Sequence, residues 1–194
     1  MPRRTCCRVR ELARREKATL VSEDAVGSLV GCGIRGQSIG ASLVSCVLRP
    51  HQVEELPALS ALCLRSKAVW GYDQDFIEAC RSELTIEPGE TQSSTIAVAE
   101  ENGRIVGIAQ IKVTGDEADL LKLFVEPTML RGGVGTKLFH WAIGEAARMG
   151  ASRMLIEADP DAAPSYRRMG AKDCGFAPSG SIPGRMLPKL VREL

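Results

Sequence analysis

A glycine-rich turn, Leu130-Arg131-Gly132-Gly133-Val134-Gly135-Thr136, stands between an apolar run ending at Val125 and a long segment with helical periodicity. A turn of this kind that feeds straight into a helix can bind phosphate. Glycines let the backbone approach a bulky anion, the first helical turn leaves N–H groups without intrahelical partners, and the helix dipole favours negative charge there. Arg131 and Lys137 add positive charge. The spacing excludes two familiar phosphate loops. A Walker A loop needs Lys directly after its last glycine, whereas Thr136 separates Gly135 from Lys137. The dinucleotide fingerprint needs a third Gly or Ala where Leu138 stands. Taken alone, the loop suits phosphate binding and plain helix capping about equally.

Other chemistry is sparse. The seven cysteines are odd in number and show neither metal-ligand spacing nor a C-x-x-C pair, so they read as reduced thiols of a cytoplasmic protein. The two histidines, His51 and His140, lie far in sequence from any cysteine cluster. Neither a zinc site nor a Ser-His-Asp triad can be assembled, and no metal is expected.

The elements that must position the loop follow from periodicity. Ala41 to Leu48 reads as a strand stopped by Arg49-Pro50, and Val53, Leu56, Leu59 and Cys63 then recur at helical spacing. A short helix is expected from Asp73 to Leu84, with Asp73 as its cap. Strands are expected at Thr95–Glu100 and Arg104–Val113 around an Asn102-Gly103 hairpin turn, then at Asp119–Val125. The apolar stripe Val134, Leu138, Ala142, Ile143, Ala146 and Met149 predicts a helix over Arg131–Met149, closed by Gly150 and followed by a strand at Arg153–Ala158. Strand, helix and strand on short loops make a βαβ unit. A short helix after Pro164 and strands near Lys172–Ala177 and Met186–Arg192 complete the pattern. The fold class is therefore α/β in the broad α+β sense, with a mixed, mostly antiparallel sheet, a central βαβ unit and flanking helices.

A chain of 194 residues with 44% hydrophobic residues can bury one sizeable core. With Lys+Arg 25 against Asp+Glu 24, nothing in the overall charge points to nucleic acid or an anionic membrane as partner. The apolar runs are too short for a membrane span. Residues 1–40 are arginine-rich, then glycine-punctuated, and read as a poorly ordered extension ahead of a domain at 41–194. They fit a tail, an over-extended start or a targeting segment.

The loop and its surroundings resemble the acetyl-CoA-binding motif of the GNAT superfamily of N-acetyltransferases: Val125-x-Pro127, then Arg131 to Gly135, after a three-strand meander and before a long helix. The resemblance runs from about Ser45 to the C-terminus. Ala163-Pro164-Ser165-Tyr166-Arg167-Arg168-Met169-Gly170 is similar to the family's second motif. Trp70-Gly71-Tyr72-Asp73 and Ile182-Pro183-Gly184-Arg185-Met186-Leu187-Pro188 look like features of one bacterial-type branch. Gly133 and Gly135 match the family's two glycine positions, while Leu130 stands where Gln or Arg is usual and Arg131 follows one place later.

The resemblance implies direct transfer of an acetyl group from acetyl-CoA to a primary amine of a small molecule or protein. Acetyl-CoA is then the cosubstrate, held by the loop residues Arg131, Gly132, Gly133, Val134, Gly135 and Thr136 and by the backbone of Leu123, Phe124 and Val125, which would pair with the pantetheine arm. Tyr166 falls at the family's acid position, suited to protonating the departing thiolate. Asp119 falls where some relatives carry a catalytic glutamate, with Glu126 and Glu100 as rivals. Trp70 and Tyr72 fall in a loop that borders the acceptor site in the family. A homodimer is allowed, and a non-catalytic acyl-CoA-binding regulatory module is the alternative. A nucleic-acid partner would have to use the arginine-rich start.

Overall fold

The computed structural model describes residues 46–194. The expected extension at 1–40, and residues 41–45 of the first expected strand, lie outside the described residues. In chain order the elements are β1 (Val47–Pro50), α1 (Leu56–Ala68, preceded by a 3-10 turn at Val53–Glu55), α2 (Gln74–Ala79), α3 (Arg81–Leu84), β2 (Thr95–Glu101), β3 (Arg104–Thr114), β4 (Glu117–Val125), α4 (Val134–Arg148), β5 (Arg153–Glu157), α5 (Ala163–Arg168), β6 (Lys172–Pro178) and β7 (Met186–Glu193).

The strands form one seven-stranded sheet in the order β1-β2-β3-β4-β5-β7-β6. Only β4 and β5 run parallel, joined through α4, and every other neighbouring pair is antiparallel. This is the expected mixed, mostly antiparallel sheet with a βαβ unit near its middle. The final strand, β7, inserts between β5 and β6.

Each face of the sheet carries its own core. On one side α1 sets Leu56, Leu59, Leu62 and Cys63 against Ile96, Val98 and Ile108. On the other, α4 sets Val134, Leu138, Phe139, Ala142 and Ala146 against Ala97, Ala109, Ile111, Met154 and Ile156. The striped face of α4 is thus the buried one, except at Met149, which follows the last helical residue and is exposed.

Local chemistry explains most boundaries. Asn102 (φ 51°) and Gly103 (φ 74°) make the left-handed pair that a two-residue hairpin turn between β2 and β3 requires. Pro50 is tolerated in β1 because that strand lies at the sheet edge. Asp73 accepts the Phe76 N–H at 2.8 Å and so caps α2. The single helix expected over Asp73–Leu84 is two short ones, broken at Cys80. The helix expected from Arg131 begins at Val134, because Arg131 (φ 63°) and Gly133 (φ 85°) are left-handed and cannot be helical. Among the described residues no helix is long and apolar enough to cross a membrane.

Candidate active site

The site is built around a gap in the sheet. β4 and β5 pair only from Glu117 opposite Arg153 to Leu120 opposite Ile156. β5 then ends at Glu157, and the Ala158 N–H bonds the Pro188 carbonyl at 2.9 Å, while β4 continues to Val125. The far half of β4 therefore keeps β3 on one side and has no strand on the β5 side. A bulge sharpens the departure: Lys122 pairs with Gln110 and Leu120 with Ile111, which leaves Leu121 outside the ladder.

Alternation decides which backbone groups the gap exposes. Glu126 donates its N–H to Val106 on the β3 side, so the amide and carbonyl of Phe124 also turn to β3. Those of Leu123 and Val125 turn into the gap. Ser66, buried on α1, places its Oγ 3.4 Å from the Val125 nitrogen. Of the three residues expected to meet an extended arm, Leu123 presents its amide and carbonyl and Val125 its carbonyl, the Val125 N–H being donated to Ser66, while Phe124 faces β3.

The glycine-rich loop closes one end of the gap. The first bond of α4 runs from the Lys137 N–H to the Gly133 carbonyl, so the N–H groups of Val134, Gly135 and Thr136 have no partner among the described residues. Gly133, Gly135 and Thr136 line the same cleft, of about 870 Å³, as Leu123, Val125 and Tyr166. A Cβ on Gly135 would rest 3.6 Å from Val125 and 3.9 Å from Leu123, so the helix start lies directly against the open half of β4. Arg131 also lines the cleft. Lys137 instead donates to the Cys46 carbonyl, away from the phosphate end.

Tyr166 lies on the cleft wall, against the Phe139 ring with centroids 5.5 Å apart. Its hydroxyl bonds no described residue, and burial raises its pKa well above the usual phenol range. The phenol therefore stays protonated at neutral pH.

Asp119 lines a second pocket of about 570 Å³ on the α1 side of the sheet. Leu120, Leu121, Lys122, Glu157 and Leu187 border both cavities, so the two meet where the strands part. Partial burial raises the Asp119 pKa and nearby Glu117 adds to this, against the opposing pull of Lys189 and Lys112. The rival carboxylates are engaged elsewhere: Glu126 with Arg65 at 2.8 Å and Glu100 with Arg49 at 2.6 Å.

Trp70, 41% exposed, borders the main cleft. Tyr72 stacks on Phe76 with centroids 4.0 Å apart and donates its hydroxyl to Asp159 at 3.0 Å. Lys67 and Arg185 grip the same carboxylate at 2.8 and 3.2 Å. These three charged residues were not singled out by the sequence. The local hints are Arg185 within the Ile182–Pro188 motif and Asp159-Pro160-Asp161 at a strand end, a turn signal with no stated chemistry. Among the described residues no cluster of His, Cys, Asp or Glu is placed to hold a metal ion.

An open strand edge, a row of unbonded helix amides and a buried phenol line one cleft, and a desolvated carboxyl lines the cavity that adjoins it. The arrangement can hold a long chain with an anionic tail at the helix start and a reacting end beside Tyr166, with Asp119 in the adjoining cavity.

Comparison with known proteins agrees with this geometry. The model of the Acetyltransferase (GNAT) family matches residues 63–176. No curated protein matches the sequence. Among solved structures, the chain is similar to a GCN5-related N-acetyltransferase of Rhodopseudomonas palustris, at 23% identity and TM-score 0.65, over 77% of this chain and 96% of that one. It is similar to the PaiA N-acetyltransferase of Thermoplasma acidophilum in complex with coenzyme A, at 16% identity and TM-score 0.63, over 77% and 99%. A ribosomal-protein-alanine N-acetyltransferase of Brucella melitensis aligns at 23% identity and TM-score 0.56, over 76% and 99%. At these identities the likeness is one of fold.

Proposed function

The chain belongs to the GNAT family of acetyltransferases, and from that membership we propose that it moves an acetyl group from acetyl-CoA directly to a primary amine of a small molecule or protein. The residues that this reading uses all fall within 41–194, the stretch we assign to the catalytic domain. One observation carries the reading: Gly135 and Thr136, whose amides have no partner among the described residues, and the open edge of β4 line a single cleft. That combination fits acetyl-CoA, whose pyrophosphate suits a helix start and whose amide-bearing arm suits an unpaired strand. The Thermoplasma structure with coenzyme A supports it.

When bound, acetyl-CoA supplies the activated thioester. The chain's own groups supply the rest. The backbone of Leu123 and Val125 aligns the arm as a further strand, and the start of α4 attracts the phosphates. Asp119 takes the proton that a protonated amine must lose before it can attack. Tyr166, kept protonated by burial, gives a proton to the departing sulfur. Trp70 walls the cleft on the side from which the acceptor enters.

The test is the heat of acetyl-CoA binding, with Gly135→Glu beside the wild type. This substitution puts a carboxylate where the phosphates belong, yet a carboxylate in the first turn suits the helix dipole and the Cβ meets only ordinary contacts. The fold should be as stable as before, with affinity reduced about tenfold or more. A wild type that binds no acetyl-CoA would overturn the proposal, and so would a Gly135→Glu variant that binds as tightly.

A further inference from the structure

Asp159 is the meeting point of four separate stretches of chain. Its carboxylate accepts Lys67 Nζ from α1 at 2.8 Å, the Tyr72 hydroxyl from the α1–α2 loop at 3.0 Å, and Arg185 Nη2 from the β6–β7 loop at 3.2 Å. Arg185 also donates to the Tyr72 oxygen at 2.5 Å. The side chains of Asp159, Lys67 and Arg185 are only 8%, 14% and 17% exposed. Lys67 and Arg185 each lie at nearly equal distances from the stacked rings of Tyr72 and Phe76, between 4.8 and 5.8 Å. A cation equidistant from two stacked rings sits beside the stack rather than over a face, so the aromatic pair serves as a wall that holds the cations around the carboxylate.

The fourth stretch is the start of α5. Asp159 accepts the Asp161 N–H on its side chain at 3.2 Å and the Ala162 and Ala163 N–H groups on its carbonyl, both at 2.9 Å. These bonds form the turn from which α5 grows. α5 has only six residues, too few to hold a direction by its own hydrogen bonds. Tyr166 rides on it, and no hydrogen bond to its hydroxyl fixes it independently. The place of the phenol in the cleft therefore depends on this turn.

The charges do not balance for stability alone. Two cations share one carboxylate in a largely buried setting, and clusters of this kind are seldom the most stabilising way to fill a space. What the cluster does achieve is to join the α1–α2 loop, expected to border the acceptor, and the β6–β7 loop to the turn that carries Tyr166. The β6–β7 loop is also tied down by Ser181, which donates to Glu83 on α3 beside the smaller pocket.

We propose that Asp159 is a positioning residue: through Lys67, Tyr72 and Arg185 it couples the seating of the α1–α2 and β6–β7 loops to the placement of the Tyr166 hydroxyl. The inference rests on the reading of Tyr166 as the proton donor in acetyl transfer. No bond is made or broken at Asp159 itself.

The test is a double-mutant cycle on thiol release from acetyl-CoA in the presence of an amine acceptor. Asp159→Asn keeps an oxygen for the turn at Asp161 while removing the charge that the cations hold. It should lower kcat about tenfold or more with acetyl-CoA affinity unchanged within about twofold. Tyr166→Phe should then cost much less in that background than in the wild type, because a misplaced phenol has little left to lose. Losses that multiply in full would overturn the coupling. Tyr72→Phe, which removes one hydroxyl and no packing, should speed amide exchange at Ala163–Met169, and unchanged exchange there would overturn it equally. A wild type that fails to bind acetyl-CoA is a different result, since it removes the enzymatic reading itself.

Discussion

Asp119 sits one residue before the point where β4 parts from β5, opposite Lys112 on one side and Leu155 on the other. Partial burial raises its pKa, which makes it a better proton acceptor than a solvated carboxylate. It also fixes the sign of a stability effect. A carboxyl whose pKa is raised by folding contributes stability below its unfolded value of about 3.9, and that contribution is lost as pH rises through the folded value. At neutral pH the ionised group is thus a net cost to the fold. Asp119→Asn should lower turnover about a hundredfold while the melting temperature at pH 7 holds or rises, measured by acetyl transfer and thermal unfolding on the same preparation. Unchanged turnover would return Asp119 to the role of an ordinary strand residue. Tyr166 and Asp119 could be singled out in the sequence because each sits in or beside a local motif. The cluster of Lys67, Asp159 and Arg185 could not, although Arg185 lies in a quoted motif: the Lys67–Asp159 pair is separated by 92 positions and the Asp159–Arg185 pair by 26, and only the closing of the sheet brings them together.

The helix α4 shows which features of an element its own sequence carries. Its apolar stripe gave its type and buried face, and Gly150 its end. Its start lies three residues beyond the one that periodicity predicts, because a left-handed Arg131 has no signature in composition. The late return of β7 between β5 and β6 was equally invisible, since strand order depends on long-range pairing rather than local pattern. Two glycines test how closely α4 is seated. At Gly107 on β3, a Cβ would lie 2.8 Å from Leu138 Cδ1, 3.1 Å from the Phe124 carbonyl oxygen and 3.2 Å from Val134 Cγ1. Gly107→Ala should cost about 1–3 kcal/mol and weaken acetyl-CoA binding, because the strain falls on the first turn of the helix that faces the phosphates. Gly144, inside the same helix, has nothing within 4 Å of its would-be Cβ. Gly144→Ala should stabilise by up to about 1 kcal/mol and leave binding unchanged. Denaturant unfolding and calorimetry on the two variants would separate them, and a well-tolerated Gly107→Ala would show that α4 can shift without cost to the site.

Across the whole molecule, the sheet is two antiparallel halves joined by a short parallel seam. β1 to β4 form one half, β5, β7 and β6 the other, and only four residue pairs link β4 to β5. α4 spans the seam on one face, and the ion cluster at Asp159 spans it on the other. A ligand seated in the gap touches both halves at once, so its binding should stabilise the joint more than either half alone. Acetyl-CoA at about a hundredfold excess over its Kd should add about 2.7 kcal/mol to the unfolding free energy. The added amide protection should concentrate at Leu123, Val125, Val134–Thr136 and Ala158–Tyr166, where the backbone is now open or held by few bonds. Hydrogen exchange with and without acetyl-CoA reads this directly. Protection spread evenly over β1, β2 and β6 as well would mean that the ligand stabilises the fold only by mass action on global unfolding, and that the seam already behaves as one rigid sheet without it.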